Sequence, residues 1–303
     1  VSALLPQADW VEQEVAMRQV IDDFTWSPDQ KYMAFTQTAE SGVELWVIDI
    51  EAASARKLTE ARVNANISGA FRWFEDSKSL LVKMVPEGRE ALIDTEMAIP
   101  MGPTISTADG RKAQNRTYQD LLKNKNDEFN FEQLARSELY RVSVEGEKEV
   151  WLESDMYTGI DFSPDGRYVM VTTIAKPFSY LVPYYRFPSK TTIYTQDADF
   201  VETLVEVPLI EDLPQGFMSV RTGKRSFDWR NDKPATLVFA MALDEGDPEN
   251  EVDFRDEVFE LEEPFNGTPR SILKTINRYS GISWGDENTA IAYDYWWNSR
   301  NTK

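Results

Sequence analysis

The chain has 303 residues, 42% hydrophobic, 12% aromatic and 28% charged, with a formal net charge of −20, enough apolar material for a large core and the wrong sign for a nucleic-acid partner. It contains no cysteine and no histidine, which excludes disulfides, thiolate or histidine-ligated metal centres, and any Ser-His-Asp or Cys-His apparatus built from these residues alone. No apolar run approaches the roughly 20 residues of a membrane-spanning helix, and no cofactor is expected.

Residues 1–20 read either as a short helix over Glu12–Val20 or as an outer strand. The first strong signal is Asp23-Phe24-Thr25-Trp26-Ser27-Pro28-Asp29-Gln30, followed by an apolar run from Lys31 to Phe35. Versions of this unit return around Trp73, Phe162, Trp229 and Trp284, each with an aromatic residue, a short polar turn carrying an acid, and an apolar segment. Pro fixes φ, Asp bonds its neighbouring backbone and Gly accepts positive φ, so Ser-Pro-Asp-Gly makes a tight turn between two strands. The first interval is close to the ~40–45 residues of a four-stranded propeller blade, and the longer ones fit blades with insertions. The expected fold is therefore all-β: a β-propeller of about five blades or part-blades, opening near residues 21, 68, 157, 224 and 280, within one region over 1–303.

The first blade is predicted at Ile21–Ser27, Lys31–Thr38, Val43–Ile50 and Ala55–Thr59. The second has strands at Ser68–Phe74 and Ser79–Val85, then an insertion over 86–136 with a helical stretch from Tyr118 to Leu134, and resumes at Ser137–Val144 and Glu147–Leu152. The third is placed at Tyr157–Ser163, Arg167–Ile174, Thr191–Thr195 and Val201–Val207, interrupted by an aromatic, Pro-rich insert, Pro177–Pro188. The fourth opens at Arg225–Trp229 and Ala235–Ala240, passes an acidic loop from Asp244 to Asp256, and ends near Ser271–Thr275. The fifth shows Ile282–Trp284 and Thr289–Tyr293. A half-blade leaves an open edge, so a longer parent chain is expected.

Several segments together resemble the prolyl oligopeptidase family of serine peptidases, nearest its glutamyl endopeptidase-like or dipeptidyl aminopeptidase-like branch. They are Trp26-Ser27-Pro28-Asp29 with Gly42–Val47, Arg116-Thr117-Tyr118-Gln119-Asp120-Leu121-Leu122, Pro177–Pro183 with Arg186-Phe187-Pro188, and Arg225 with Trp229-Arg230 and Asp232. The resemblance implies a propeller, seven-bladed when complete, over an α/β-hydrolase domain that bears the serine, acid and histidine and lies outside this chain. It further implies a peptide substrate and a hydrolytic parent protein, inactivity of this chain alone, and a periplasmic or secreted setting. The alternative is a free-standing propeller that binds proteins or glycans.

Within that frame, Tyr184, Tyr185 and Arg186 of the insert are the candidate substrate-binding residues, with Arg186 able to meet a peptide carboxylate through a two-pronged hydrogen bond. The alternative is that the insert packs on its own blade and Arg186 pairs with a local acid. For Arg116, Arg225 and Arg230 structural ion pairs are the expectation. Gly281-Ile282-Ser283-Trp284-Gly285 spells the nucleophile-elbow pattern, but Ser283 falls just before a blade aromatic, where a strand-to-helix turn is not expected. The loop Asp244–Asp256 lacks the spacing of a calcium loop and is expected as a solvated acidic loop. No metal ligands and no catalytic residues are assigned.

Overall fold

The computed structural model describes residues 21–94, 118–286 and 289–297. They fall into two compact units, one drawn from residues 21–93 and 129–159, the other from 94, 118–128, 160–286 and 289–297. The expectation for residues 1–20 and Arg116 lies outside the described residues.

The first unit opens with an antiparallel meander, β1 (Ile21–Trp26), β2 (Tyr32–Ala39), β3 (Gly42–Asp49) and β4 (Ser54–Lys57), in sequential order. The turn from β1 to β2 is fixed by side chains, since Ser27 Oγ donates to Asp29 Oδ1 (2.8 Å) and accepts from Tyr32 N–H (3.0 Å), while Asp29 Oδ1 also accepts from Lys31 N–H (3.1 Å). Gln30 takes the left-handed conformation at φ 61°. Next come β5 (Phe71–Trp73), β6 (Ser79–Met84), β7 (Ser137–Ser143) and the start of β8 (Lys148–Phe162), again as neighbours in order. Alternating residues of these strands make the unit's core, including Leu45, Val47, Trp73, Leu80, Val82 and Val142.

Two strands expected as separate, Glu147–Leu152 and Tyr157–Ser163, are parts of the single 15-residue β8. Glu153-Ser154-Asp155-Met156 contains neither Pro nor Gly, so nothing there obliges the extended backbone to turn, and Asp155 still pairs with Ser137. Among the described residues of the insertion, only Lys125–Ala135 is helical (α1). Asn124 Oδ1 caps it by accepting from the N–H groups of Asn126 (2.9 Å) and Asp127 (3.0 Å), which sets its start well after Tyr118.

In the second unit the end of β8 is followed by β9 (Tyr168–Ile174), β10 (Ser189–Thr195) and β11 (Phe200–Val207), and then by a four-stranded meander of β12 (Arg225–Trp229), β13 (Thr236–Ala242), β14 (Asp256–Glu262) and β15 (Arg270–Thr275). A hairpin of β16 (Arg278–Asp286) and β17 (Thr289–Tyr295) completes the described residues. Strand β14 was not foreseen, because Asp256-Glu257-Val258-Phe259-Glu260-Leu261-Glu262 reads as the tail of an acidic loop. Its two buried carboxylates, Asp256 and Glu260, are matched by arginines, as described below.

The repeat has the same contacts in both units. The Ser163-Pro164-Asp165-Gly166 turn reproduces the first turn's bonds, with Ser163 Oγ to Asp165 Oδ1 at 2.8 Å and Tyr168 N–H to Ser163 Oγ at 3.0 Å. Trp73 Nε1 donates to the carbonyl of Thr25 (3.1 Å), the residue before the preceding repeat's aromatic, and Trp229 Nε1 donates to the carbonyl of Asp161 (3.2 Å), its equivalent before Phe162. A bulge with positive φ stands three residues before the aromatic in three copies, at Asp23 (φ 54°), Ser226 (φ 54°) and Gly281 (φ 136°). Sequential antiparallel sheets, each clipped by its indole to the first strand of the one before, are β-propeller blades.

Candidate functional site

The insert Pro177–Pro188 has an inward and an outward row. Inward, Phe178 and Phe187 pack with ring centroids 5.1 Å apart and Val182 is buried. Ser179 Oγ donates to Glu211 Oε1 (2.5 Å), and Tyr180 Oη to Glu128 Oε1 (2.5 Å) at the start of α1. Burial, and then this carboxylate, raise the Tyr180 phenol above its ordinary value. Outward are Leu181, Tyr184 and Tyr185, the last 66% exposed. A single 3-10 turn, Tyr184–Arg186, separates the rows by presenting both tyrosine rings outward, edge to face at 6.0 Å, and turning Arg186 in.

Arg186 is therefore buried, at 8% exposure, and its guanidinium carbon lies 5.4 Å from the centre of the Tyr118 ring. Its backbone carbonyl accepts from Ile210 N–H (3.0 Å). Among the described residues it has no ion pair, and the Tyr118 hydroxyl beside it is buried without a hydrogen-bond partner. The local acid expected for Arg186 if its role were purely structural is not found there.

Arg225 and Arg230 are occupied, as are Arg255 and Arg278. Arg230 pairs with Asp232 (2.6 Å) and Glu260 (2.7 Å) and stacks 3.7 Å over Trp284. Arg225 pairs with Asp256 (2.5 Å), and Arg278 grips Asp244 with both terminal nitrogens (2.7 Å each) and reaches Asp256 (3.2 Å). Arg255 adds a second partner to Asp244 (2.7 Å). The ends of the acidic loop are thus buried and neutralised rather than solvated, since an unpaired buried carboxylate would be prohibitively costly. Among the described residues no cluster of three or more potential ligands is placed to hold a metal ion. Ser283 lies within β16, paired with Ile291 of β17, so its surroundings are strand against strand and not an elbow.

Sequence reasoning passed over Arg221. Its guanidinium donates to the backbone carbonyls of Thr222 (3.1 Å) and Lys224 and, among the described residues, has no ion pair. Burial, reinforced by repulsion from Arg225, pulls it below the ordinary arginine value. It stands between two clefts. One, of about 280 Å3, is bordered by Tyr185, Phe187, Thr172, Thr191, Ser226 and Phe227; the other, of about 410 Å3, by Pro208, Leu209, Leu213 and Glu245, with Val205, Val207 and Ile210 shared. The available signal was the basic run Arg221-Thr222-Gly223-Lys224-Arg225 in so acidic a chain. Gly246 holds Arg221's neighbour in place: its carbonyl accepts from Val220 N–H (3.0 Å), and at φ 77° its Cα approaches Val220 so closely that a Cβ would stand 2.0 Å from the Val220 carbonyl oxygen.

Over 295 residues the chain is 40% identical to a probable chloroplastic glutamyl endopeptidase of Oryza sativa subsp. japonica and 39% identical to its namesake in Arabidopsis thaliana. The chain is similar to these glutamyl endopeptidases along nearly its whole length. The matches cover 93% of this chain but only 31% and 30% of those relatives, so it spans a little under a third of their length. This is the branch of the prolyl oligopeptidase family that the insert and turn motifs resembled. No family model matches the chain. Among solved structures, an acylaminoacyl peptidase of Pyrococcus horikoshii is similar over 90% of this chain and 35% of that one, at 15% identity and a TM-score of 0.46. The β-propeller domain of the Trilobed protease from Pyrococcus furiosus is similar over 91% and 63%, at 12% identity and a TM-score of 0.43.

Proposed function

We propose that this chain is the non-catalytic, substrate-gating β-propeller portion of a serine-type peptidase that hydrolyses peptides, working with an α/β-hydrolase domain. The observation that carries this reading is the 40% identity to a glutamyl endopeptidase along nearly the whole chain, in 303 residues that include no histidine. The chain's residues then serve access and substrate contact, while the proton-shuttling imidazole is supplied from elsewhere. Tyr184 and Tyr185, held outward by the buried half of the insert, contact the peptide. Arg186, free of any described ion pair, offers a second contact to a peptide carboxylate entering beside Tyr118.

The test is the protein expressed from its complete reading frame. Tyr184→Ala/Tyr185→Ala is expected to lower kcat/KM for peptides about tenfold or more while labelling by a serine-directed fluorophosphonate is unchanged; this chain alone hydrolyses nothing. A reading frame without a G-x-S-x-G followed by Asp and His, or kinetics untouched by the double substitution and by Arg186→Ala, would overturn the proposal.

A further inference from the structure

Among the described residues Arg221 has no carboxylate partner, in contrast to four other arginines of its unit. In a chain with 52 acidic and 32 basic residues, Arg225, Arg230, Arg255 and Arg278 of the same unit are all paired with acids at 2.7 Å or less. Among the described residues, Arg221 donates only to two backbone carbonyls of its own loop. Carbonyl dipoles satisfy hydrogen bonds without neutralising a charge, and this guanidinium is partly buried with a like charge, Arg225, for a neighbour. An anion reaching it would therefore meet a donor already stripped of much of its water.

The cleft specifies what kind of anion. Its lining is mixed: apolar at Phe187, Val207 and Phe227, polar at Thr191 and the acidic Asp161, with the exposed ring of Tyr185 at its border. A bare inorganic anion would leave the apolar part of these walls, at Phe187, Val207 and Phe227, uncovered. A glutamate side chain would place its carboxylate at the end of a flexible stem and bring its own backbone amides against those walls unpaired. A C-terminal residue carries its carboxylate and its side chain on the same carbon, so one can face the guanidinium while the other covers apolar wall. About 280 Å3 accommodates one or two residues. We infer that the cleft shared by Tyr185 and Arg221 binds the free C-terminal carboxylate of an extended peptide. This rests on the peptide-gating reading above and adds to it which end of the peptide is held.

Three fluorescein-labelled hexapeptides with the same apolar sequence distinguish the sources of the carboxylate: one with a free C-terminus, one amidated, and one amidated with a glutamate in the chain. Anisotropy titrations use the whole chain and its Arg221→Gln and Arg221→Lys variants, with melting temperatures measured in parallel. The free acid is expected to bind at least tenfold tighter than its amide, as hydrogen bonds to charged groups warrant. Arg221→Gln should erase that preference and Arg221→Lys keep part of it. Equal binding of acid and amide by the unsubstituted chain, a comparison that needs no variant to fold, would overturn the inference and leave the gating reading standing. So would tighter binding of the glutamate amide than of the free acid, or a preference that survives Arg221→Gln. Failure of all three peptides to bind would sink this inference and the gating reading together.

Discussion

Lys83 offers the sharpest test of the energetics. It lies on β6 at 1% exposure, and its ammonium reaches only the carbonyls of Ile67 and Ser68 and the Ser68 hydroxyl, with no carboxylate in ion-pair range among the described residues. Burial, opposed only weakly by Asp23, pulls its pKa from 10.5 down to about 8. Because the folded value is lower than the unfolded one, the unfolded state binds more protons between about pH 8 and 10.5, and stability rises with pH across that window. A shift of roughly 2.5 units at 1.36 kcal/mol each makes the full swing about 3 kcal/mol. Below pH 8 both states are charged and the burial penalty is present in full. Lys83→Met removes the penalty but leaves the Ile67 and Ser68 carbonyls without a donor, at ~1–3 kcal/mol each, so at pH 7 the two effects offset and the level is uninformative. The slope is the diagnostic. Urea unfolding followed by tryptophan fluorescence at pH 7, 8, 9 and 10 should show the unsubstituted chain gaining on the variant by about 2–3 kcal/mol. Tyrosine titrations common to both proteins, such as Tyr279, pushed up to about 12, cancel in the difference. Parallel profiles would refute a buried, charge-penalised lysine.

Asp256→Ala should cost about 3–5 kcal/mol in denaturant unfolding, because a fully buried carboxylate is removed from between Arg225, Arg278 and the Tyr279 N–H. Trp73→Phe and Trp229→Phe should each lose about 1 kcal/mol or slightly more, since each deletes one indole bond to an equivalent carbonyl; a large difference between them would argue against a shared role. Gly246→Ala should destabilise the Val220–Gly246 contact by well over ~1 kcal/mol, through both the positive φ and the clash with Val220, seen as faster amide exchange at Val220 and Arg221.

The blade pattern was legible because its determinants are local. Trp26-Ser27-Pro28-Asp29 and Phe162-Ser163-Pro164-Asp165 fix their turns through bonds spanning five residues or fewer, and alternation does the rest. What sequence reasoning missed depends on distant partners. Strand β14 looked like an acidic loop until Asp256 and Glu260 met Arg225, Arg278, Arg230 and Arg270. β8 was split in two because the expectation of separate blades supplied a break that Glu153–Met156 does not contain. At the candidate site the aromatic insert stood out by composition, and so did its tyrosines. That Arg186 turns inward and Arg221 is left without an acid are facts about which charges find one another across the fold, and no spacing rule carries them.

The distribution of arginines separates scaffold from surface. In a chain this acidic, carboxylates are plentiful, so an arginine that needs only neutralisation finds one: Arg225, Arg230, Arg255 and Arg278 do so with buried acids, and these pairs tie strands and loops to one another. Removing one partner leaves the other charged and desolvated, which is why these positions govern stability. Arg186 and Arg221 escape that logic on the side of the second unit where Tyr185 and two clefts open. A guanidinium kept from the available acids by its position, yet close to a cleft, retains its capacity for an anion that arrives from outside. Its substitution should therefore move binding far more than folding.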